Sequence, residues 1–235
     1  MVSMENRSGG ARGHPPAELL GPLNEVECQH APERLFAAGD TRLLRAGTRV
    51  SIIGARQASP EGLRRARKLA AQLVREGVIV VSGLAEGIDT AAHEAALAAG
   101  GRTIAVLGTP LDRTYPQRNR GLQQRIMAEH LALSPFAPGA SIVKGNFPHR
   151  NRLMALISDA TVIVEANDGS GALSQGWEAI RLGRLLFIPK STASAPHLTW
   201  PRKMLDYGAQ ILTDTRSLTR LLPVEAGAGL APVAF

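Results

Sequence analysis

Cysteine is almost missing from this sequence: Cys28 is the only one, so no intrachain disulfide can form and no thiolate cluster can bind a metal. A reducing, cytoplasmic setting is the corresponding expectation. Aromatic residues make up only 4% of the chain, which excludes the multi-base stacking platforms that many single-strand binders use. Tyr115 and Phe147 are the two aromatics beside basic loops. No apolar run approaches the roughly 20 residues needed to span a bilayer, and the N-terminus has no apolar signal core, so a soluble protein without membrane contact is expected. Motifs are missing as well. The six histidines show no HExxH spacing, Ser82 lacks a GxSxG elbow, and neither GxxxxGK[ST] nor GxGxxG occurs. Zinc hydrolases, elbow-type serine hydrolases, phosphate-cleaving P-loops and ordinary dinucleotide binders are thereby disfavoured. No cofactor or metal is expected.

What is present centres on Arg49 to Asp89. Val50, Ile52 and Ile53 form a short β-branched run that stops at Gly54, the pattern of a buried parallel strand. Leu63, Ala66, Ala70 and Leu73 then recur at helical spacing, with arginines and a lysine on the other faces, and Gly77 is placed to cap this helix. Val78 to Val81 supplies a second strand before Ser82, Gly83 and Gly87 open another turn. Further strands are predicted at Thr103–Leu107, Leu131–Ser134, Thr161–Glu165, Leu185–Ile188 and Gln210–Leu212, with helices between them. This alternation predicts an α/β fold: an extended Rossmann-like, doubly wound, mostly parallel sheet with helices on both faces. Residues 1–24 and 223–235 are rich in Gly, Pro and Ala without periodicity and read as flexible tails around a single domain at 25–222.

In such folds ligands bind beyond the carboxyl ends of strands, where helix N-termini attract anions. Gly54-Ala55-Arg56 and Ser82 to Asp89 both fall there, and Arg56 adds a planar donor fork suited to phosphate. The excess of 27 Lys and Arg over 20 Asp and Glu gives a net charge of +7 and favours a polyanionic partner. Arg150 and Arg152, near a helix start at Pro148, sit where the macrodipole disfavours cations unless an anion is held there. Glu165 and Asp168 read by default as helix caps.

Taken in order, GAR at Gly54, SGLAEGIDTAAHEAAL at Ser82, GGRTIAVLGTPLDRTYPQRNRGL at Gly100, NFPHRNRLMALIS at Asn146, VIVEANDGSGAL at Val162 and FIPKS at Phe187 resemble the DNA-processing protein A (DprA/Smf) family. The match in order and spacing runs from about Leu35 to Leu222. The resemblance implies a non-enzymatic recombination mediator. Such a protein binds single-stranded DNA without base specificity, acts as a homodimer, and loads the RecA recombinase in natural transformation. By the same resemblance Arg56 holds backbone phosphate, the turn from Ser82 through Gly83 and Gly87 to Asp89 shapes the pocket floor, and Arg118 with Asn119 lines the rim. Phe147, Arg150, Asn151 and Arg152 border the same pocket, as do Ser170 and Gly171. Three departures stand out: Glu86 where relatives have a basic or neutral residue, Ser174-Gln175-Gly176 in place of ITA, and Lys190 in place of a glycine. The resemblance does not extend to the winged-helix and N-terminal helical domains of many relatives. A second reading stays open. Nucleotide phosphoribohydrolases of related fold carry PGGxGTxxE, and Gly169 to Leu173 occupies the comparable loop, with Gln175 in place of the glutamate. That reading makes the chain a nucleotide-binding or nucleotide-processing protein.

Overall fold

The computed structural model describes residues 12–222; the C-terminal tail expected from 223, and residues 1–11 of the N-terminal one, lie outside the described residues. The strands are β1 (Gly13–His14), β2 (Leu35–Gly39), β3 (Arg49–Gly54), β4 (Ile79–Ser82), β5 (Thr103–Val106), β6 (Leu131–Ser134), β7 (Ala160–Glu165), β8 (Leu185–Pro189) and β9 (Gln210–Leu212). They join one sheet in the order β1-β2-β6-β5-β4-β3-β7-β8-β9. All neighbouring pairs from β6 to β9 are parallel, whereas β1 and β2 add antiparallel at one edge. The expected extended, mostly parallel Rossmann-like sheet is therefore present.

Among the described residues the α-helices are, in chain order, α1 (Pro16–Leu20), α2 (Glu25–His30), α3 (Pro60–Arg75), α4 (Ile88–Ala98), α5 (Arg120–Glu129), α6 (Asn146–Leu156), α7 (Ala172–Arg181), α8 (Lys190–Ala193), α9 (Trp200–Asp206) and α10 (Thr215–Thr219). Period-two alternation along the strands assigns the layers. Val50 and Ile52 of β3 point to a core shared with Ala66, Leu69 and Leu73 of α3, Ala92 of α4 and Leu218 of α10. Ile53, one residue on, faces the opposite core with Leu153 and Leu156 of α6 and Trp200 and Met204 of α9.

The N-terminal boundary expected at residue 24 falls inside folded chain. Gly13 and His14 pair with Phe36 and Leu35, and Leu19 is buried. Arg45 donates to the carbonyls of Leu19 and Glu18, at 3.2 and 3.0 Å, and fastens α1 to the domain. Two short elements that lack periodicity of their own are thus held by an edge strand and an arginine.

Strand order reverses beside β3, whose neighbours are β4 on one side and β7 on the other. The βα connections after β3 and β7 leave toward opposite faces, so a crevice opens between them at the carboxyl edge. At this junction the amide of Ala55 donates to the carbonyl of Glu165 at 2.7 Å. A Cβ on Gly54 would sit 2.6 Å from that oxygen, so the close approach of the two strand ends requires glycine.

Candidate nucleic-acid interface

A hollow of about 780 Å³ lies in this crevice. Its walls come from Gly54 to Gln57 after β3, from Asn167 to Ala172 after β7, from Asp89 at the start of α4, and from Phe147, Arg150 and Asn151 of α6. Arg56 is exposed, forms no ion pair among the described residues, and holds its guanidinium 5.3 Å from the ring centroid of Phe147. Tyr115 stands 5.6 Å beyond, ring to ring and half exposed. The result is a cation over an aromatic pair at the mouth. Tyr115, passed over as a site residue on sequence grounds, thus shares the site with Phe147. The signal for it was present, an aromatic within a basic loop. Gly108 makes room for Phe147, since a Cβ there would lie 2.6 Å from the ring.

Arg150 is buried and lines the hollow. Its Nη1 donates to the carbonyls of Gly83 and Val106, at 2.5 and 2.9 Å, and its Nε donates to Asn151 Oδ1 at 3.0 Å. It is an internal rivet joining α6 to the ends of β4 and β5. Only Nη2 is left without a protein partner among the described residues. Gly83 is required for this, because a Cβ there would fall 1.7 Å from Nη1. Burial pushes the Arg150 pKa down and that of Asp89 up, each shift opposed by the other's charge. Asn151 completes the wall by donating to the Gly171 carbonyl at 3.1 Å and to Ser174 Oγ at 2.6 Å.

Three amides of the Ser82 to Asp89 turn are taken up within the protein. The amides of Gly83 and Ala85 donate to Asp89 Oδ2, at 3.2 and 3.4 Å, and that of Ile88 donates to Ala55. Ser82 is buried and donates to Ile52 at 2.7 Å. Gly87, at φ +76°, lets the turn pass the carbonyls of Ala55 and Arg56. These residues shape the floor through backbone geometry; Arg56 and Arg150 bring the cationic groups to the hollow, which Glu86, Asp89 and Asp168 also line. His93 pairs with Thr103 at 2.7 Å, so Ser82, Asp89 and His93 form no catalytic relay.

The remaining residues fall out as follows. Asn119 turns inward and donates to Leu84 and Thr90, at 2.9 and 2.8 Å, bracing the loop instead of lining a rim. Arg118 is exposed but paired with Glu86 at 2.5 Å, so the two charges that the sequence sets in tension cancel. Arg152 points away from the hollow toward Glu178, at 3.6 Å. Ser170 and Gly171 do line the hollow. Glu165 and Asp168 brace the starts of distant helices: Glu165 accepts from N and Oγ of Ser59, the N-cap of α3, and Asp168 accepts from Thr199 and Trp200 at the start of α9. Those bonds hold the Asp168 pKa below the usual carboxylate range. No group of three metal-ligating side chains occurs among the described residues, and no helix among them is long and apolar enough to cross a membrane.

The family model for DNA recombination-mediator protein A matches residues 18–223. The chain belongs to this family. Among curated relatives it is similar to the DNA processing protein DprA of Streptococcus pneumoniae, 43% identical over 171 residues, covering 72% of this chain and 60% of that one. DprA of Bacillus subtilis is 32% identical over 192 residues, covering 82% and 65% respectively. The chain thus spans less than two thirds of the length of these relatives. The crystal structure of S. pneumoniae DprA superposes with a TM-score of 0.77 at 34% identity, over 86% of this chain and 73% of that one. DNA processing protein A of Helicobacter pylori, whose structure describes a single-stranded DNA binding mode, gives 0.74 at 30% identity, over 85% and 92%. A molybdenum cofactor binding protein from Rippkaea orientalis shares the fold alone, at 18% identity, 74% and 94% coverage and a TM-score of 0.52. The family is one of recombination mediators and not a known enzyme family.

Proposed function

We propose that the hollow at the switch point grips the sugar–phosphate chain of single-stranded DNA irrespective of base sequence. Arg56, exposed, without an ion pair among the described residues and laid over Phe147, carries the reading: it offers a phosphate its donor fork while the Phe147–Tyr115 pair offers one base a stacking face. Arg150 adds positive potential from behind without needing to move. The aromatic pair and Arg56 supply no code for base edges, in keeping with sequence-independent binding. Family membership and the single-strand binding described for the H. pylori relative support the same ligand. On the family's description we extend the proposal to mediation of recombination: a cytoplasmic homodimer that delivers bound DNA to RecA during natural transformation.

The nucleotide-hydrolase alternative has less support at the site. Gln175 stands where a catalytic carboxylate is needed, is fully buried, and turns its amide toward Thr161 at 3.5 Å. Incubation with nucleoside monophosphates should release no free base.

The binding test is a fluorescence titration of oligothymidine against wild type and Arg56→Ala over a range of salt concentrations. Wild-type affinity should fall steeply with salt, and the variant should bind about tenfold or more weakly with a log–log salt slope reduced by about 1. Salt-insensitive binding, or an unaffected variant, would contradict the proposal.

A further inference from the structure

A second concentration of positive charge lies outside the hollow, in the groove between α3 and α10. The hydroxyl of Thr215, the first residue of α10, donates to Gln72 Oε1 of α3 at 2.7 Å and stitches the two helices together. On either side of this stitch the surface opens into depressions of about 310 and 630 Å³. Arg65, Lys68 and Lys190 line the first, and Arg75, Arg216 and Arg220 line the second. Of these six cations only Arg65 is ion-paired among the described residues, to Glu61 one turn earlier at 3.0 Å. The two carboxylates at the groove, Asp214 and Glu76, form no ion pair with the others among the described residues and are outnumbered by them. Asp214 is committed to capping α10, accepting from Ser217 N at 2.8 Å, and Glu76 forms no ion pair among the described residues. Helix surfaces ordinarily intersperse the two signs, since unpaired like charges raise the energy of the compact state. Five unpaired cations lining one groove fit a surface kept for an anion too long for any single pocket.

The groove is close to the hollow. Val164 of β7 lines the first depression, and the loop after β7 lines the hollow from Asn167 onward, so one strand end serves both. Glu165 on the same strand holds Ser59, the N-cap of α3, which places Arg65 and Lys68 in the first turns beyond that junction. Lys190 opens from the end of β8, next to β7, where the family resemblance calls for glycine.

We infer that the α3–α10 groove is a second phosphate-binding track, taking up single-stranded DNA that continues past β7 from the hollow. The inference rests on the proposed function only for the origin of the strand. The hollow fixes one end by phosphate and base contacts. The groove adds phosphate contacts alone, and so lengthens the site and steepens its salt dependence without adding sequence preference.

The experiment compares the full chain with a Lys68→Glu/Lys190→Glu variant and with Arg56→Ala, each titrated with a long oligothymidine and with one of about 5 nucleotides, near the lower site size of single-strand binders. Both lysines are exposed, so thermal melts of the groove variant should match wild type. The groove variant should bind the long oligonucleotide about tenfold more weakly, with a salt slope reduced by about 2, and bind the short one unchanged. Unchanged binding of the long oligonucleotide overturns the inference. Equal weakening of long and short overturns it too, because a strand too short to reach the groove cannot report a contact made there. Arg56→Ala separates the two proposals. If Arg56→Ala binds normally while the groove variant is weakened, the groove stands and the reading of the hollow falls; the reverse pattern removes the groove and leaves the hollow intact.

Discussion

At the scale of single residues, the site depends on one arginine passing through space that only a glycine leaves open. Gly83→Ala should cost roughly 1–3 kcal/mol in chemical denaturation, because its methyl group collides with the Arg150 guanidinium. Combining it with Arg150→Ala should make the pair far less than additive, since truncation removes the collision. Full additivity would mean that the contact is absent. His93 makes a pH prediction. Burial lowers its pKa from 6.5 to about 3, so between those values the unfolded chain binds a proton that the folded protein does not. Stability therefore falls as pH drops through this window, approaching about 1.4 kcal/mol per pH unit between about pH 6 and 4. Urea denaturation of His93→Leu should show a shallower dependence, and an unchanged slope would assign the effect to other groups. Glu86→Gln tests the neutralisation of Arg118 directly. Freeing that guanidinium should tighten oligonucleotide binding several-fold and steepen its salt dependence, whereas weaker binding would show that Glu86 supports the site.

At the scale of elements, β3 and β7 are joined by more than their ladder. Glu165 closes the end of β7 onto the first turn of α3 through Ser59, and Gly62 leaves room for its carboxylate, since a Cβ there would lie 2.3 Å from Oε2. Glu165→Ala should cost about 1 kcal/mol or more of stability by removing the acceptor that holds Ser59, the N-cap of α3, and should loosen the crevice whose walls these elements form. Amide hydrogen exchange would detect that loosening at the start of α3, and unchanged protection there would count against it. Most of these elements are legible in the sequence. The β-branched runs ending in glycine mark β3 and β4, and the spacing of Leu63, Ala66, Ala70 and Leu73 marks α3. What pattern does not convey is which partner a side chain finds. Asn119 and Arg152 sit in segments matching the family motif, yet they turn to a loop carbonyl and to Glu178 because tertiary neighbours outbid the hollow. The edge elements β1 and α1 were hidden for the same reason: two and five residues have no period, and their order comes from β2 and Arg45.

At the scale of the whole molecule, the sheet carries a hollow at its carboxyl edge and a cation-lined groove on one face. The hollow sits at the switch point, the α3–α10 groove on the neighbouring face, and the end of β7 lies between them. The net charge of +7 gives no hint of this division, because charge counted along a chain carries no direction. The account turns on Arg56 and Phe147 gripping a strand at the switch point, and a crystal structure of the protein with oligothymidine tests it most directly. A backbone phosphate within hydrogen-bond reach of Arg56, with a base against Phe147, is the predicted result. Ordered DNA on the protein with the switch-point hollow left vacant would contradict it.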